Sequence, residues 1–561
     1  MIPAGVAWLV TIVLLSFPAW MLASSILAWV GAFGFIALGR LTGKPWLVVG
    51  ALSCAAAALL ATAASSQSDA RRPEFLAKSQ SISSATVVTT QTAVPSSRFF
   101  AATVVLAGDR TVSVPVLVFG AALTRRTEIG TSLRLSGSLI ATDPNDEVSY
   151  LVFARGETRV IAPPPWYLSW ANGLRAGLAG AATSLPGDGG ALLPGLAIGD
   201  TTAVSPTLNA NMKAASLTHL TAVSGANCAV VIGLILLVGQ AIGLSRGVRI
   251  AAALAVLVGF VVLVTPQPSV LRSAIMAALV LGALARGRPA SGLPVVGITV
   301  IALLAYDPWL AVDYGFALSV LATAGLMTMT APISRLLEEF LPRWLAISVA
   351  VPLAAQLACQ PVLVLLNPSL PLYGVIANSL AEPASPVATV IGLLACVSLP
   401  VVPPVGHVLT AIAWVPSAWI AAVATFFSGL PGARLPWAGG FVGALSLAAV
   451  TVALLVVMFA RVSRRHRIVI AGAAGILLIG TLGAAAAIPG LGVAPAATRS
   501  DAADTLVTII RSTGRGRCGG TGIEDRAVHP AVGVAPDSSR ADRSRLGHGR
   551  LPRGSRDPDP A

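Results

Sequence analysis

Apolar residues in this chain come in blocks of about 20, the length that matches roughly 30 Å of hydrocarbon, and short polar connections separate them. About thirteen such blocks predict membrane-spanning helices, at approximately 6–20, 22–39, 46–64, 219–243, 248–265, 268–285, 291–305, 313–330, 344–366, 372–399, 408–428, 439–460 and 467–489. Pro361, Pro371, Pro383 and Pro386 interrupt the later blocks. Broken helices are tolerated in a membrane only where protein or a watery cavity satisfies the freed backbone groups, so these breaks point to an internal cavity.

Between about 70 and 165 the pattern changes to alternating β-branched and polar residues. Strands are expected at Ser83–Thr92, Phe99–Leu106, Val112–Phe119, Leu133–Ile140 and Tyr150–Phe153, with turns at Gly108–Asp109 and Asp143–Pro144–Asn145. Short strands at this spacing suggest a small, OB-like β-barrel inserted after the third span. Its aromatics, Phe99, Phe100, Phe119, Tyr150 and Phe153, are expected in the barrel core, with stacking of a single nucleic-acid strand as the other reading. After Pro163–Pro164–Pro165, the stretch Trp166–Ala182 has mixed apolar and basic character and is expected to lie along the membrane surface, bridging barrel and bundle.

The resulting architecture is a polytopic α-helical membrane protein in five parts: helices at 1–65, the OB-like domain at 66–165, a linker at 166–218, the main bundle at 219–490, and a disordered or aberrant tail at 491–561. The N-terminal apolar stretch lacks a basic leader and runs on through residue 39, so it reads as the first spans and not as a signal peptide. Basic clusters fall on alternate connections: Arg40 with Lys44, Arg246 with Arg249, Arg286 with Arg288, Arg335 with Arg343, and Arg461, Arg464, Arg465 and Arg467. The positive-inside rule then places these clusters and the N-terminus in the cytoplasm, and the β domain and the tail outside.

Composition agrees with this picture: 55% of residues are hydrophobic and 11% charged, against about 25% charged in soluble proteins. The net charge of +14 suits an anionic ligand, but loop arginines that set topology account for much of it. Cys54, Cys228, Cys359, Cys396 and Cys518 form no C-x-x-C pair and read as small core residues, so neither a zinc site nor a disulfide framework is expected.

The most informative block is Leu217-Thr218-His219-Leu220-Thr221-Ala222-Val223-Ser224-Gly225-Ala226-Asn227, which opens an apolar span with polar groups. On one helix His219, Ser224 and Asn227 would form a ladder along one side, a plausible pore lining. This block resembles the competence motif of the ComEC family, in which a histidine precedes a Ser-Gly pair and a polar step; Asn227 stands where many members have histidine. Further matches follow in that family's order: Gly195-Leu196-Ala197-Ile198-Gly199-Asp200, then Pro268-Ser269-Val270-Leu271-Arg272, then Tyr306-Asp307-Pro308 with Gly315-Phe316-Ala317-Leu318-Ser319, then Gln356, Pro361, Asn378 and Pro383.

The resemblance implies a channel that imports single-stranded DNA across the cytoplasmic membrane during natural transformation. It implies as partners the DNA strand, membrane lipid, a DNA receptor and a cytoplasmic helicase or translocase. Arg272, Asp307, Asp313, Gln356, Asn378 and Glu382 lie within or beside apolar runs, where an ionisable group is costly unless it meets a cavity or a partner. With His219, Ser224 and Asn227 they are the candidate lining. Phosphate needs cations or donors that hold it weakly and repeatedly, while Trp309, Tyr314, Phe316 and Tyr373 are candidates for base stacking or for an interfacial belt.

Full-length members of that family commonly carry a metallo-β-lactamase-like domain. Its His-x-His-x-Asp-His pattern is missing among His219, His407, His466, His529 and His548, so no enzymatic activity and no cofactor are expected, and a separate nuclease is implied. No Gly-x-x-x-x-Gly-Lys-Ser/Thr motif is present, so the driving force is assigned to a partner. The alternative reading is a secondary transporter of a small solute, which also uses broken helices. A Ser224–His219 dyad is disfavoured, because residues five apart point about 140° away from each other on a helix.

Overall fold

The computed structural model describes residues 1–78, 81–95, 97–221, 225–264, 268–286, 292–459, 472 and 475. Helices α1 (Ile2–Ser16), α2 (Met21–Thr42) and α3 (Pro45–Arg71) open the chain, with a 3-10 turn at Pro18–Trp20. Gly43, at φ +65°, ends α2 in the left-handed region and Pro45 starts α3 at its first position, the usual division of labour between these residues. One helical turn, α4 (Glu74–Ala77), leads into five strands: β1 (Ser81–Thr89), β2 (Phe99–Ala107), β3 (Arg110–Phe119), β4 (Ser132–Ala141) and β5 (Tyr150–Ala162).

The strands form a mixed sheet in the closed order β1-β2-β3-β5-β4, with β4 returning to β1. All the pairings are antiparallel except β3 with β5, which is parallel from Val116↔Tyr150 to Phe119↔Phe153. Period-two alternation drives one face inward, and Val87, Phe100, Val104, Val116, Leu133 and Val152 pack there as a single core. Each such side chain contributes about 1.5–3 kcal/mol by leaving water. Gly108, at φ +60°, makes the expected turn between β2 and β3.

Three helices follow the sheet: α5 (Trp166–Thr183), α6 (Gly187–Ile198) and α7 (Pro206–Ala214). After a 3-10 turn at Thr218–Leu220 come α8 (Gly225–Ala241), α9 (Arg246–Val264), α10 (Pro268–Ala285), α11 (Gly292–Tyr306) and a second 3-10 turn, Pro308–Ala311. The bundle is completed by α12 (Tyr314–Leu337), α13 (Arg343–Leu366), β6 (Ser369–Pro371), α14 (Gly374–Ala381), α15 (Ala384–Ser398), α16 (Pro403–Ser428), β7 (Arg434–Pro436) and α17 (Gly440–Phe459). Strands β6 and β7 pair antiparallel.

Among the described residues eight helices are long and apolar enough to cross a membrane, or up to nine if the bent pair α14–α15 is one span. The expected count of about thirteen is not confirmed. Helices α1, α8 and α11 are apolar but only 15, 17 and 15 residues long, short of the roughly 20 that span the hydrocarbon. The 372–399 block is broken, with a 43° bend between α14 and α15, and the 467–489 block and the tail lie outside the described residues, save Gly472 and Gly475.

Lipid supplies no hydrophobic drive between helices, so close packing of small residues holds them together. A Cβ on Gly189 of α6 would sit 2.7 Å from the Ala418 Cβ of α16, and one on Gly392 of α15 would sit 2.7 Å from the Ala197 Cβ of α6. Helix α5 does not simply lie on a surface. Ala171, Asn172, Arg175, Leu178, Ala181 and Ala182 form a buried stripe against the bundle, while Trp166, Tyr167 and Trp170 remain exposed.

Candidate functional site

The motif segment 216–228 is not one helix. His219 lies in the 3-10 turn and Asn227 near the start of α8, with residues 222–224, including Ser224, outside the described residues. The expected ladder along a single helix face is therefore replaced by a segment that touches two polar regions with its two ends.

At one end, Gly225 abuts α10. A Cβ there would lie 2.8 Å from Ser273 Oγ and 3.6 Å from Arg272 Nη2, so the glycine lets the start of α8 approach the guanidinium. Arg272 is buried, at 5% exposure. Its Nε donates to Ser319 Oγ at 2.9 Å, and its Nη1 to Thr323 Oγ1 at 2.8 Å and to Met276 Sδ at 3.2 Å. Thr323 Oγ1 donates its own proton to the Ser319 carbonyl at 2.8 Å, which leaves its lone pairs for the guanidinium. Among the described residues no carboxylate lies within ion-pair distance of Arg272. Asn227 and Cys228 are buried beside this region.

At the other end, Ser216, with φ +60°, faces α13 and α14. Asn378 Nδ2 donates to the Gly374 carbonyl at 2.7 Å and to the Ser216 carbonyl at 3.3 Å. A Cβ on Gly374 would lie 3.0 Å from Gln356 Oε1. Gln360, one turn on from Gln356, donates to the Ser369 carbonyl at 3.3 Å. His219 Nε2 lies 3.9 Å from Glu382 Oε1, at the break between α14 and α15. These contacts form a polar seam, in which Asn378 Oδ1 and Gln360 Oε1 are buried without a hydrogen-bond partner among the described residues.

Asp307 and Asp313 stand apart from both regions. Asp307 Oδ1 caps the 3-10 turn by accepting from Trp309 N at 3.0 Å and pairs with Arg71 Nη1 at 3.2 Å. Asp313 Oδ1 accepts from Phe316 N and caps α12. Trp309 is buried beneath Arg71, whose guanidinium carbon is 4.1 Å from the ring centroid, and its Nε1 donates to the Pro144 carbonyl of the β4–β5 loop at 2.9 Å. Phe316 packs edge-on against Trp8, and Tyr373 donates its hydroxyl to the Pro431 carbonyl at 3.0 Å. Of the four bundle aromatics named as stacking candidates, only Tyr314 is exposed.

Residues 196–464 match the family model described as Competence protein. Over this range, just under half of its length, the chain is similar to the competence protein family. The matched range holds the motif segment, Arg272, the α12 hydroxyls and the whole polar seam, whereas the five-stranded sheet lies before it. No curated protein and no solved structure matches the chain. The family segment also contains partners that sequence reasoning passed over. Thr323, Ser216 and Gln360 are uncharged, and only the fold reveals what they touch.

Proposed function

We propose that this chain is a multi-pass protein of the cytoplasmic membrane that carries single-stranded DNA inward during natural transformation. The observation that carries this reading is Arg272. A buried guanidinium costs several kcal/mol in desolvation, and here hydroxyls orient it while no carboxylate among the described residues neutralises it. An anion that arrives and leaves would complete such a site, and a single strand presents one phosphate charge per nucleotide. Hydroxyl-held Arg272 binds phosphate without a fixed competitor, and the seam of Gln356, Gln360, Asn378 and Glu382 offers acceptors suited to base edges.

The sheet supports the same reading as an OB-like domain. Its strand order, with β3 parallel to β5, separates the aromatics into two sets. Phe100 and Tyr150 fill the core, while Phe99, Phe119 and Phe153 make one cross-strand row with centroids 5.6 and 5.1 Å apart. Arg155 follows two residues after Phe153, and Arg134 pairs in register with Arg159, so cations lie on the same face as the ring row, in which Phe99 and Phe153 are half-buried and Phe119 is buried. In this reading the N-terminus is cytoplasmic, the sheet faces outward to a DNA receptor, a helicase or translocase pulls from inside, and a separate nuclease removes the other strand.

The test replaces Arg272 with Met in the full chain, then measures transformation by added DNA together with labelled DNA held at the cell surface. The reading expects transformation to fall at least 100-fold with surface DNA and membrane protein level unchanged. Unaltered transformation contradicts it. The broken pair α14–α15, with His219 and Glu382 at the break, also fits a solute transporter; loss of transformation on substitution at Arg272 separates the two.

A further inference from the structure

The loop 126–130 between β3 and β4 docks on the bundle through side chains that the conduit reading leaves unused. Arg126 Nη2 binds Asp200 Oδ2 at 2.7 Å, and the other oxygen of Asp200 accepts from Thr202 N at 3.0 Å and Thr202 Oγ1 at 2.6 Å. Three residues on, the Ile129 carbonyl accepts from Asn172 Nδ2 of α5 at 2.9 Å. Gly130, at φ +85°, lies where an added Cβ would meet Leu168 of α5 at 2.6 Å. One short loop thus supplies an ion pair, a buried hydrogen bond and a tight apolar contact.

Asn172 passes that contact onward. Its Oδ1 accepts from Arg175 Nη1 at 2.5 Å, and Arg175 Nε and Nη2 donate to the Leu263 and Val262 carbonyls, both at 2.6 Å. Those carbonyls belong to the last turn of α9, which ends at Val264, the end of a helix where partial negative charge collects. Arg175 is therefore a helix cap delivered from another helix. Asn172 and Arg175, on the same face of α5, are only 3% and 4% exposed. Helix α10, next in the chain after α9, carries Arg272 in its second turn.

We propose that α5 is a strut fixing the sheet domain in register with the Arg272 site, with Arg126, Asn172, Arg175 and Asp200 as its positioning residues. The far side of the domain is pinned as well, by Trp309 to Pro144 and by Arg71 to Glu147 and Asp307, so the domain is held at two separate loops and has little freedom to turn. The strut rests on the conduit reading only for its purpose; its geometry stands apart from it.

The test uses the full chain in cell membranes. Arg126→Cys with Asp200→Cys, on a background lacking the native cysteines, is treated with a short bis-maleimide, and linked peptides are read by mass spectrometry. In parallel, Arg126→Asp, Asp200→Arg and the swapped double variant are scored for transformation, surface-bound DNA and membrane level. The strut predicts efficient cross-linking with import retained, at least tenfold lower import in each single variant at normal membrane level, and recovery in the swap. Failure to cross-link, import abolished by the cross-link, single variants without effect, or a swap that recovers nothing would each overturn it. Arg272→Met beside these keeps the readings apart: normal import in that variant sinks the conduit while the cross-link still reports the strut.

Discussion

Arg272 shows how a residue can be expensive for the fold and still be retained. Its cost was legible in the sequence, because an arginine inside an apolar run must be paired, hydrated or functional. Its hydroxyl partners were not legible, since serine and threonine are common in membrane helices as donors to the preceding turn, as Thr323 is to Ser319. A buried guanidinium with no ion-pair partner keeps its desolvation cost uncompensated, and an apolar side chain of similar volume removes that cost. Arg272→Met is therefore expected to leave the thermal midpoint of the purified protein unchanged or raised while import is lost. A lowered midpoint with import intact would make Arg272 a structural residue. Asp307 marks the opposite limit. The sequence places it with the conduit candidates, but its partner Arg71 is 236 positions away, and no local pattern reports such a pair.

At the scale of elements, alternation made the sheet readable: β2, β3 and β4 begin and end within about two residues of the expected strands. Strand β5 runs on to Ala162, because its second half, with Arg155, Glu157 and Arg159, is exposed and lacks the apolar alternation that marks a strand. Helix α6 carries another consequence. Gly189 leaves no room for a side chain beside Ala418, so Gly189→Leu is expected to destabilise the α6–α16 contact by about 1–3 kcal/mol, read as a lower thermal midpoint; no change would mean the helices are not in contact. The Asp200 tie gives a pH prediction. Burial alone would raise its carboxyl, but hydrogen bonds from Thr202 and Arg126, with the charge of Arg126, outweigh it and hold the pKa below the ordinary 3.8. A depressed carboxylate stabilises the folded state above its unfolded value, and that contribution disappears as pH falls through the folded value. Hydrogen exchange in the 126–130 loop should stay slow through neutral and mildly acidic pH and speed up only below 3.8. Release near neutrality would contradict the tie.

For the whole molecule, the family segment, the hydroxyl-held Arg272, the polar seam and the docked sheet converge on one account, in which a strand passes the sheet and enters the bundle beside α10 and α12. The spans were legible as blocks but not as a count, because hydropathy does not separate a full crossing from a short or broken helix. The path itself is the central claim. The most direct measurement places a photoreactive amino acid at Thr323, next to Arg272, and separately at Val452, on the exposed face of α17, then illuminates competent cells during uptake of labelled DNA. The account predicts a cross-link to the entering strand from position 323 and none from 452. A strand captured at neither position while uptake proceeds normally, or at 452 alone, would contradict it.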